Sequence, residues 1–283
     1  MRKSTNKTER LRSIIFQLIG ENEYILEAIK SICACGGNKP NIGIATQKGS
    51  SCDYKTHHIG LSLPDIIGAY DKIHRLKSIP TCNFVLDKSF GDYNSNKSIR
   101  QYVEIPSRYC SAEQEITKLL EGTNFINEDI LTSMEIYAIY SMAYSLYHEI
   151  GHLIYDKYIP DIEQIRREQV ADMFAFRAIK SFEIKGNEKT LILGTLIGVT
   201  FIFERTTPQI EKDDKEHPYT VDRITTLLNY WGVPDESLFW ELAYKEFKNW
   251  CINTSVDWEN KTNCSGKEKF TNVSLQFKEW AIQ

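Results

Sequence analysis

The stretch of residues 130–157 is apolar on nearly every face of the helix it would form, and it nevertheless carries two histidines and a glutamate. A helix that is apolar all round is normally buried in the core of a protein. Burying a carboxylate or an imidazole costs free energy unless a partner satisfies it. His148, Glu149 and His152 therefore need partners inside the fold, and the stretch predicts a buried helix with a polar site built into it.

The two histidines have the spacing of a metal site. His148 and His152 are four residues apart, so they lie on one face of a helix, one turn from each other. Two neutral imidazoles in this arrangement can bind one zinc ion, and Glu149 can reach a water molecule on that ion. The alternative is that the H-E-x-x-H pattern arose by chance among the six histidines of the chain.

A second helix offers a third ligand. Residues 161–181 follow Pro160 and are predicted to form a helix that Asp161 caps. Glu168 and Asp172 are again four residues apart, and two carboxylates at that spacing repel each other. The repulsion is relieved if Glu168 binds the metal and Asp172 accepts the ring N–H of a liganding histidine. The alternative is an acidic face in solvent, or ion pairs with the neighbouring arginines Arg166, Arg167 or Arg177.

The pattern along the chain predicts an α+β fold that is mostly helical. Residues 41–45 and 57–62 alternate like strands around a polar turn region, which predicts a β-hairpin, and Pro64 opens a predicted helix. Two short strands are predicted at 84–87 and 102–105. Helical patterns occupy 12–31, 111–121, 128–157, 161–181, 188–205, 217–231 and 235–249.

These elements divide into a small sheet layer and a helical bundle. The predicted division places an α+β part with the hairpin at residues 1–110 and a helical catalytic part at residues 111–283. The two parts are expected to form one compact unit, with the histidine-bearing helix buried in the bundle.

Composition and charge exclude several partners. The net charge of −4 gives no electrostatic reason to expect nucleic acid or an anionic membrane surface. The apolar run at 191–203 is too short for a membrane span. Seven cysteines leave at least one unpaired, which favours a reducing, cytoplasmic location.

The motifs together resemble those of gluzincin metallopeptidases. HEIGH is followed after a short gap by ExxxD, and EHPYTVDRI at 216–224 resembles the His-Pro and Arg-Ile segment that follows ExxAD in several such families. The layout is most similar to that of the Lit-type phage-exclusion peptidases. The resemblance implies a zincin-like bundle and a zinc-dependent endopeptidase that hydrolyses a peptide bond in an intracellular protein.

Carried over residue by residue, the resemblance implies a role for each motif position. His148, His152 and Glu168 would bind Zn²⁺, and Glu149 would be the general base that takes a proton from the attacking water. Asp172 would support the ligands from behind.

His217 and Arg223 would line the same site. The resemblance implies that His217 donates a hydrogen bond to the developing oxyanion. Pro218 suits the first turn of a helix, which would place His217 at the edge of that helix and Arg223 further inside. The alternative is that His217 caps the helix at the surface and Arg223 pairs with a nearby carboxylate.

Phage exclusion further implies a protein of the translation machinery as substrate and an activating trigger or regulator. Two other functions are consistent with the same motifs. One is a regulatory zinc peptidase that cleaves a repressor. The other is a non-catalytic zinc-binding module, which needs a fourth protein ligand, with His217 as the candidate. The sequence leaves the oligomeric state open.

Overall fold

A computed structural model describes residues 22–34, 40–45, 49–62, 65–66, 68–69, 72, 128–183, 188–253 and 264–282. Within these ranges the protein is mostly helical and has a small three-stranded sheet near its N-terminus, which confirms the predicted fold class. The predicted strands at 84–87 and 102–105, the helix at 111–121 and the domain boundary near residue 110 lie outside the described residues.

The sheet pairs differently from the predicted hairpin. Its strands are β1 (Asn41–Ala45), β2 (Ser51–Asp53) and β3 (His58–Ser62), in the order β1-β3-β2. β1 runs parallel to β3, so the prediction that these two segments form an antiparallel hairpin is wrong. The hairpin joins β2 to β3 instead, inside the region that the sequence predicts as a turn.

A local side-chain hydrogen-bond pattern explains this shorter hairpin. Asp53 accepts hydrogen bonds from the backbone N–H groups of Lys55 and Thr56 and from the Thr56 hydroxyl. His57 then adopts a left-handed backbone conformation with φ of 53°. A carboxylate that binds the following backbone turns the chain tightly, so β3 folds back on β2.

In the described part of the chain, helix α1 precedes the sheet and helices α2 to α9 follow it. They are α1 (Glu23–Ala34), α2 (Glu128–Tyr158), α3 (Gln164–Lys180), α4 (Glu188–Thr200), α5 (Ile202–Arg205), α6 (Pro208–Asp213), α7 (Thr220–Tyr230), α8 (Leu238–Trp250) and α9 (Gly266–Ile282). A short 3₁₀ turn, Cys251–Asn253, follows α8. No helix among the described residues is long and apolar enough to cross a membrane.

Helix α2 lies at the centre of the molecule and is buried, as the sequence predicts. It packs against α3 on one side and α4 on another. Close approach depends on Gly151, because a Cβ atom there would lie 3.0 Å from the Cα atom of Ala171 on α3. On the other side, a Cβ atom at Gly194 of α4 would lie 2.5 Å from the Cβ atom of Tyr140. Small residues therefore set the distance between α2 and both neighbours.

Several predicted helix ends are wrong by a few residues. Helix α3 begins at Gln164, after an N-cap residue, Glu163, whose side chain makes no capping hydrogen bond, so Asp161 is not the cap. The helix predicted at 188–205 is interrupted at Phe201, where α4 gives way to α5. Helix α7 begins at Thr220, two residues after Pro218. Proline and polar patterns mark the neighbourhood of a helix end but do not fix its residue.

Helix α9 was absent from the sequence prediction. Its buried side chains, Phe270, Val273, Phe277 and Ala281, recur every three to four residues and pack against α8 and its aromatic side chains. Buried residues of α1, β3, helices α2 to α5 and helices α7 to α9 belong to one hydrophobic core. The core holds the polar cluster of α2 and α3 in a fixed frame.

Candidate metal centre and active site

Two packed helices bring three potential metal ligands together. His148 and His152 lie on α2, and Glu168 lies on α3. The two Nε2 atoms are 3.0 Å apart, and each lies 3.2 Å from an oxygen of the Glu168 carboxylate. All three residues are buried.

This donor set fits a divalent metal. The potential ligand atoms of His148, His152 and Glu168 all lie within 4.8 Å of one another. Two imidazole nitrogens and one carboxylate are the protein ligands of many catalytic zinc sites, which keep a further position open. The two ring nitrogens face each other, and the carboxylate lies at hydrogen-bond distance from both. These groups are suited to bind one shared cation. His217 is not a member of this group, so the described residues supply three ligands and not the four of a closed structural site.

Asp172 lies behind His148 and joins three elements. Its carboxylate lies 2.9 Å from the other ring nitrogen of His148, Nδ1. It also accepts a hydrogen bond from the Tyr144 hydroxyl at 2.8 Å. Arg223 of α7 donates to both of its oxygens, at 2.6 and 2.7 Å. This arrangement directs the Nδ1 proton of His148 to Asp172 and leaves Nε2 free to face the metal position.

The charges of this cluster stabilise one another. Burial lowers the pKa of His148, but its hydrogen bonds to Asp172 and Glu168 outweigh burial and raise the pKa to about 9. Burial raises the pKa of Asp172, but the positive charge of Arg223 and the contact with His148 bring it down to about 2. The contacts with both histidines likewise hold the pKa of Glu168 well below its ordinary value, against burial. Both carboxylates are therefore ionised at neutral pH.

Arg223 supports the cluster through the carboxylate of Asp172. Its side chain is buried, and its guanidinium also donates to the Tyr144 hydroxyl at 2.9 Å. Burial lowers the pKa of Arg223, but the charge of Asp172 outweighs burial and raises it above the ordinary value. The structure thus gives Arg223 a carboxylate partner, which is the alternative that the sequence leaves open, but that carboxylate belongs to the candidate site.

Glu149 lies beside the ligands and is buried too. Burial raises the pKa of Glu149, and the neighbouring histidines oppose this effect. Its carboxylate forms no ion pair or hydrogen bond within the described part of the chain. A carboxylate without a structural partner, next to a metal position, is available to exchange a proton.

His217 approaches the cluster from the loop between α6 and α7. Its Nε2 atom lies 3.9 Å from an oxygen of Glu168, and its side chain is 47% exposed, in contrast to the buried ligands. Its other ring nitrogen lies 2.9 Å from the carboxylate of Asp214. The structure therefore places this exposed imidazole next to the candidate metal position, in the loop before α7 and not within that helix.

Strands β2 and β3 of the sheet pack against α2. The rings of Tyr54 and His152 meet edge to face, with centroids 6.4 Å apart. Burial raises the pKa of Cys52 on β2, and the next largest cause is the negative charge of Glu149. Since β2 is at one end of the strand order, its outer edge is unpaired within the described residues. Residues 51–54 therefore border the candidate site.

Sequence reasoning missed Tyr144, Asp214 and Glu211. Tyr144 is four residues before His148, so the same helical spacing that links the two histidines could have identified it. Asp214 is three residues before His217, at a spacing that suits a local side-chain contact. Glu211 accepts hydrogen bonds from the backbone N–H and the hydroxyl of Thr220, at the start of α7, and no sequence pattern indicates that pairing.

Comparison with protein families matches residues 86–243 to a family model described as Peptidase U49. The match spans more than half of the chain and includes every residue of the candidate metal centre. No curated protein and no solved structure matches the chain.

Proposed function

The chain belongs to the Peptidase U49 family, and we propose that it is a zinc-dependent endopeptidase. A peptidase acts on peptide bonds, so its substrate is a peptide or protein. The observation that carries the zinc-dependent mechanism is the buried group of His148, His152 and Glu168, with the buried carboxylate of Glu149 beside it, which has no ion pair or hydrogen bond among the described residues.

Three residues of the two packed helices would hold the metal. His148 and His152 contribute Nε2, and Glu168 contributes its carboxylate. A zinc ion held there would supply a Lewis acid that polarises the peptide carbonyl and acidifies a bound water. The carboxylate of Asp172 accepts the Nδ1 proton of His148. It also accepts hydrogen bonds from Arg223 and Tyr144, which fix its position. These contacts fix the ring orientation before a metal or substrate arrives.

Glu149 is the general base of the proposed reaction. Its carboxylate accepts the proton of the attacking water and then transfers that proton to the leaving amine. Burial raises the pKa of this carboxylate, so it takes up the proton of the water more readily than an exposed glutamate would.

His217 is the proposed oxyanion partner. Its ring is exposed at the border of the site, and Nε2 is the nitrogen nearest to Glu168. With a proton on that atom, the ring donates a hydrogen bond to the negative charge that develops on the peptide carbonyl oxygen. Arg223, in contrast, acts through Asp172 and His148 and does not touch the substrate.

The outer edge of β2 is the proposed docking site for the substrate backbone. An extended peptide that added a strand there would pass along residues 51–53, which border Glu149 and His152.

The biological role we propose is phage exclusion, in the manner of the Lit-type peptidases that the motifs resemble. It would act in the cytoplasm on a protein of the translation machinery, and a trigger or regulator would control its activity. Cleavage of a repressor is the alternative role for the same chemistry.

The proposed function is tested in two steps. The first is zinc per chain in purified native protein, by elemental mass spectrometry, with the His148→Ala and Glu149→Gln variants beside it. We expect about one zinc in the native protein and in Glu149→Gln and a large loss in His148→Ala, because of the two substituted residues only His148 is a proposed ligand. Native protein that stays folded but takes up no zinc would overturn the proposal.

The second step compares new protein N-termini in bacteria that express native protein or Glu149→Gln. New N-termini that require Glu149 identify the substrate and decide between a translation protein and a repressor. Since the variant keeps its zinc, equal cleavage by both proteins would contradict the role of Glu149 as the base.

A further inference from the structure

The two histidines of the proposed metal centre are held in different ways. Nδ1 of His148 lies 2.9 Å from the carboxylate of Asp172. Nδ1 of His152 is also buried, but it has no hydrogen-bond partner among the described residues. A histidine that binds a metal almost always donates its second ring N–H to a partner, which fixes the orientation of the ring. The orientation of His152 must therefore come from a contact of another kind.

The sheet supplies this contact through an aromatic ring. The rings of Tyr54 and His152 meet edge to face, with an interplanar angle of 89° and centroids 6.4 Å apart, and aromatic pairs prefer this arrangement. Tyr54 directly follows β2, in which Ser51 and Asp53 are exposed and Cys52 is partly buried, as Tyr54 is. Since successive side chains of an extended segment alternate between its two faces and β2 packs against α2, this alternation directs Tyr54 towards the helix that carries His152.

Arg167 of α3 holds the ring of Tyr54 in place. Its guanidinium carbon lies 5.8 Å from the centre of that ring, a distance at which a cation is attracted to the face of an aromatic ring. Burial raises the pKa of Tyr54, and a hydrogen bond between its hydroxyl and Arg167 opposes that rise. Arg167 also donates to the backbone carbonyl of Pro160 at 2.9 Å and lies 3.8 Å from the carboxylate of Asp156 on α2. The ring of Tyr54 thus connects the sheet to both helices of the metal centre.

We propose that Tyr54 is a positioning residue for the metal centre: its ring fixes the orientation of His152 in place of a hydrogen bond at Nδ1, and Arg167 fixes Tyr54. The inference rests on the proposed zinc site and goes beyond it, because it gives the sheet a role in metal binding. Tyr54 is not a ligand and acts only through the imidazole of His152. It directly follows residues 51–53, the proposed docking edge, so a peptide bound there would contact the same segment that supports His152.

Two substitutions separate the ring of Tyr54 from its hydroxyl. Zinc affinity is measured by chelator competition in purified full-length protein. Tyr54→Leu removes the ring and is expected to lower the affinity about 2- to 12-fold, which corresponds to the usual strength of an edge-to-face pair. Tyr54→Phe keeps the ring under Arg167 and is expected to retain the native affinity. Native affinity in Tyr54→Leu would overturn the proposal.

Tyr244→Leu is the matched control for the loss of a partly buried tyrosine. Tyr244 lies on α8 and also packs against the hydrophobic core. Its replacement removes the same atoms from the protein and is expected to leave zinc affinity unchanged. An equal loss of zinc affinity in Tyr54→Leu and Tyr244→Leu would show that general loosening of the core is responsible, and it would overturn the role of Tyr54.

Cobalt(II) in place of zinc supplies a readout that a loss of stability alone does not change. Its visible absorption bands depend on the arrangement of the ligands around the ion, and spectra at saturating cobalt are independent of affinity. We expect Tyr54→Leu to shift or broaden these bands, and Tyr54→Phe and Tyr244→Leu to retain the native spectrum. A native spectrum in Tyr54→Leu would show that the ring does not orient His152 and would overturn the proposal.

Arg167→Met tests the second half of the proposal. It is expected to lower zinc affinity in otherwise native protein and to lower it no further on a Tyr54→Leu background. Arg166→Met is the control, because Arg166 is the adjacent arginine but is exposed and pairs with Gln169. An additional loss on the Tyr54→Leu background would show that Arg167 acts on its neighbour Glu168, and it would overturn its role through Tyr54.

The metal site and the role of Tyr54 fail with different results. Native protein that binds neither zinc nor cobalt would overturn both of them. Metal binding by native protein that Tyr54→Leu leaves unchanged in affinity and spectrum would retain the metal site and overturn only the role of Tyr54.

Discussion

Asp172 joins three elements at the site. It lies on α3 and binds His148 and Tyr144 of α2 and Arg223 of α7. Arg223 has only 9% of its surface exposed, so its charge relies on this carboxylate and not on solvent. Removing one partner of a buried ion pair destabilises a protein more than replacing the whole pair by apolar residues, because it leaves a buried charge without compensation. The site therefore depends on Asp172 for both its geometry and its folding.

The Asp172→Asn variant tests this dependence. Because it leaves a buried arginine without its carboxylate, the free energy of unfolding is expected to fall by roughly 3–5 kcal/mol. Zinc affinity is expected to fall about 10- to 100-fold, because His148 loses the acceptor of its Nδ1 proton. Urea denaturation and a zinc titration against a chelator measure the two effects.

The Asp222→Asn variant is the matched control. Asp222 is also an aspartate that pairs with a cation, Lys278, but this pair is at the surface of α7. Removing an exposed ion pair is expected to change the unfolding free energy by no more than about 1 kcal/mol. Equal denaturation midpoints for Asp172→Asn and Asp222→Asn would show that burial of the Arg223 pair does not matter.

The titration of Glu211 is expected to make the stability of the protein depend on pH, independently of the metal centre. Glu211 is buried, and burial raises its pKa to about 7. The hydrogen bonds from Thr220 and the positive charge of Arg223 oppose this rise in pKa, and the negative charge of Asp214 adds to it. The folded protein therefore binds this proton more tightly than the unfolded chain does. The stabilisation is fully present below the ordinary glutamate pKa of 4.5 and is lost as the pH rises to about 7.

The Glu211→Gln variant lacks this titration. The free energy of unfolding of native protein, relative to the variant, is expected to fall by roughly 3 kcal/mol between pH 4.5 and pH 7, at about 1.4 kcal/mol for each pKa unit. Urea denaturation at a series of pH values measures the difference. The Glu216→Gln variant, which replaces an exposed carboxylate by the same amide, serves as the control. A difference between native protein and Glu211→Gln that stays constant with pH would contradict the raised pKa.

At the scale of elements, the sequence predicted which side chains share one face of a helix, because residue spacing alone determines this. His148 with His152, and Glu168 with Asp172, each share one face of a helix, and the structure brings both pairs together. The existence of helices α2, α3, α7 and α8 follows from the same periodicity. Helix α9 carries this pattern too, so its omission was an error of interpretation and not a missing signal.

Pairing between distant segments could not be predicted in this way. Whether β1 joins β3 in parallel or antiparallel depends on the turn after Asp53 and on the loop before β2, and the alternation of residues is the same in both cases. The capping of α7 by Glu211 likewise connects residues whose spacing carries no helical or strand signal. Such contacts form because the packed helices bring the groups together.

Gly151 allows α2 and α3 to approach each other closely, so we predict that the distance between these two helices controls metal affinity. In Gly151→Ala the added Cβ atom would lie 3.0 Å from the backbone of Ala171 and 3.3 Å from Phe174, so α2 and α3 must separate. Zinc affinity is expected to fall at least tenfold, because His148 and His152 move away from Glu168. Stability is expected to fall by about 1–3 kcal/mol from overpacking, although alanine favours a helix.

Gly194→Ala is the control, because it forces α4 away from Tyr140 at a distance from the ligands. It should lower stability similarly and leave zinc affinity unchanged. Zinc affinity is measured by chelator competition and stability by urea denaturation. If both glycine variants weaken zinc binding equally, general loosening and not the α2–α3 distance controls the site.

At the scale of the whole molecule, a single core joins the parts on which the site depends. Buried side chains of α1, β3, helices α2 to α5 and helices α7 to α9 belong to one hydrophobic cluster, and the candidate ligands are buried as well. A metal that binds only the folded state stabilises everything that unfolds together with its site. Zinc is therefore expected to stabilise the described part of the molecule as one unit.

Calorimetry of metal-free protein with and without zinc tests this expectation. Zinc at 100 times its dissociation constant should add roughly 2.7 kcal/mol to the free energy of unfolding. At about 2–4 °C per kcal/mol, the midpoint of a single transition should rise by roughly 5–10 °C. The rise should persist in Glu149→Gln, which keeps every ligand, and disappear in His148→Ala. Two transitions, of which zinc moves only one, would show that the core does not unfold as a unit, and no rise in native protein would contradict metal binding at HEIGH.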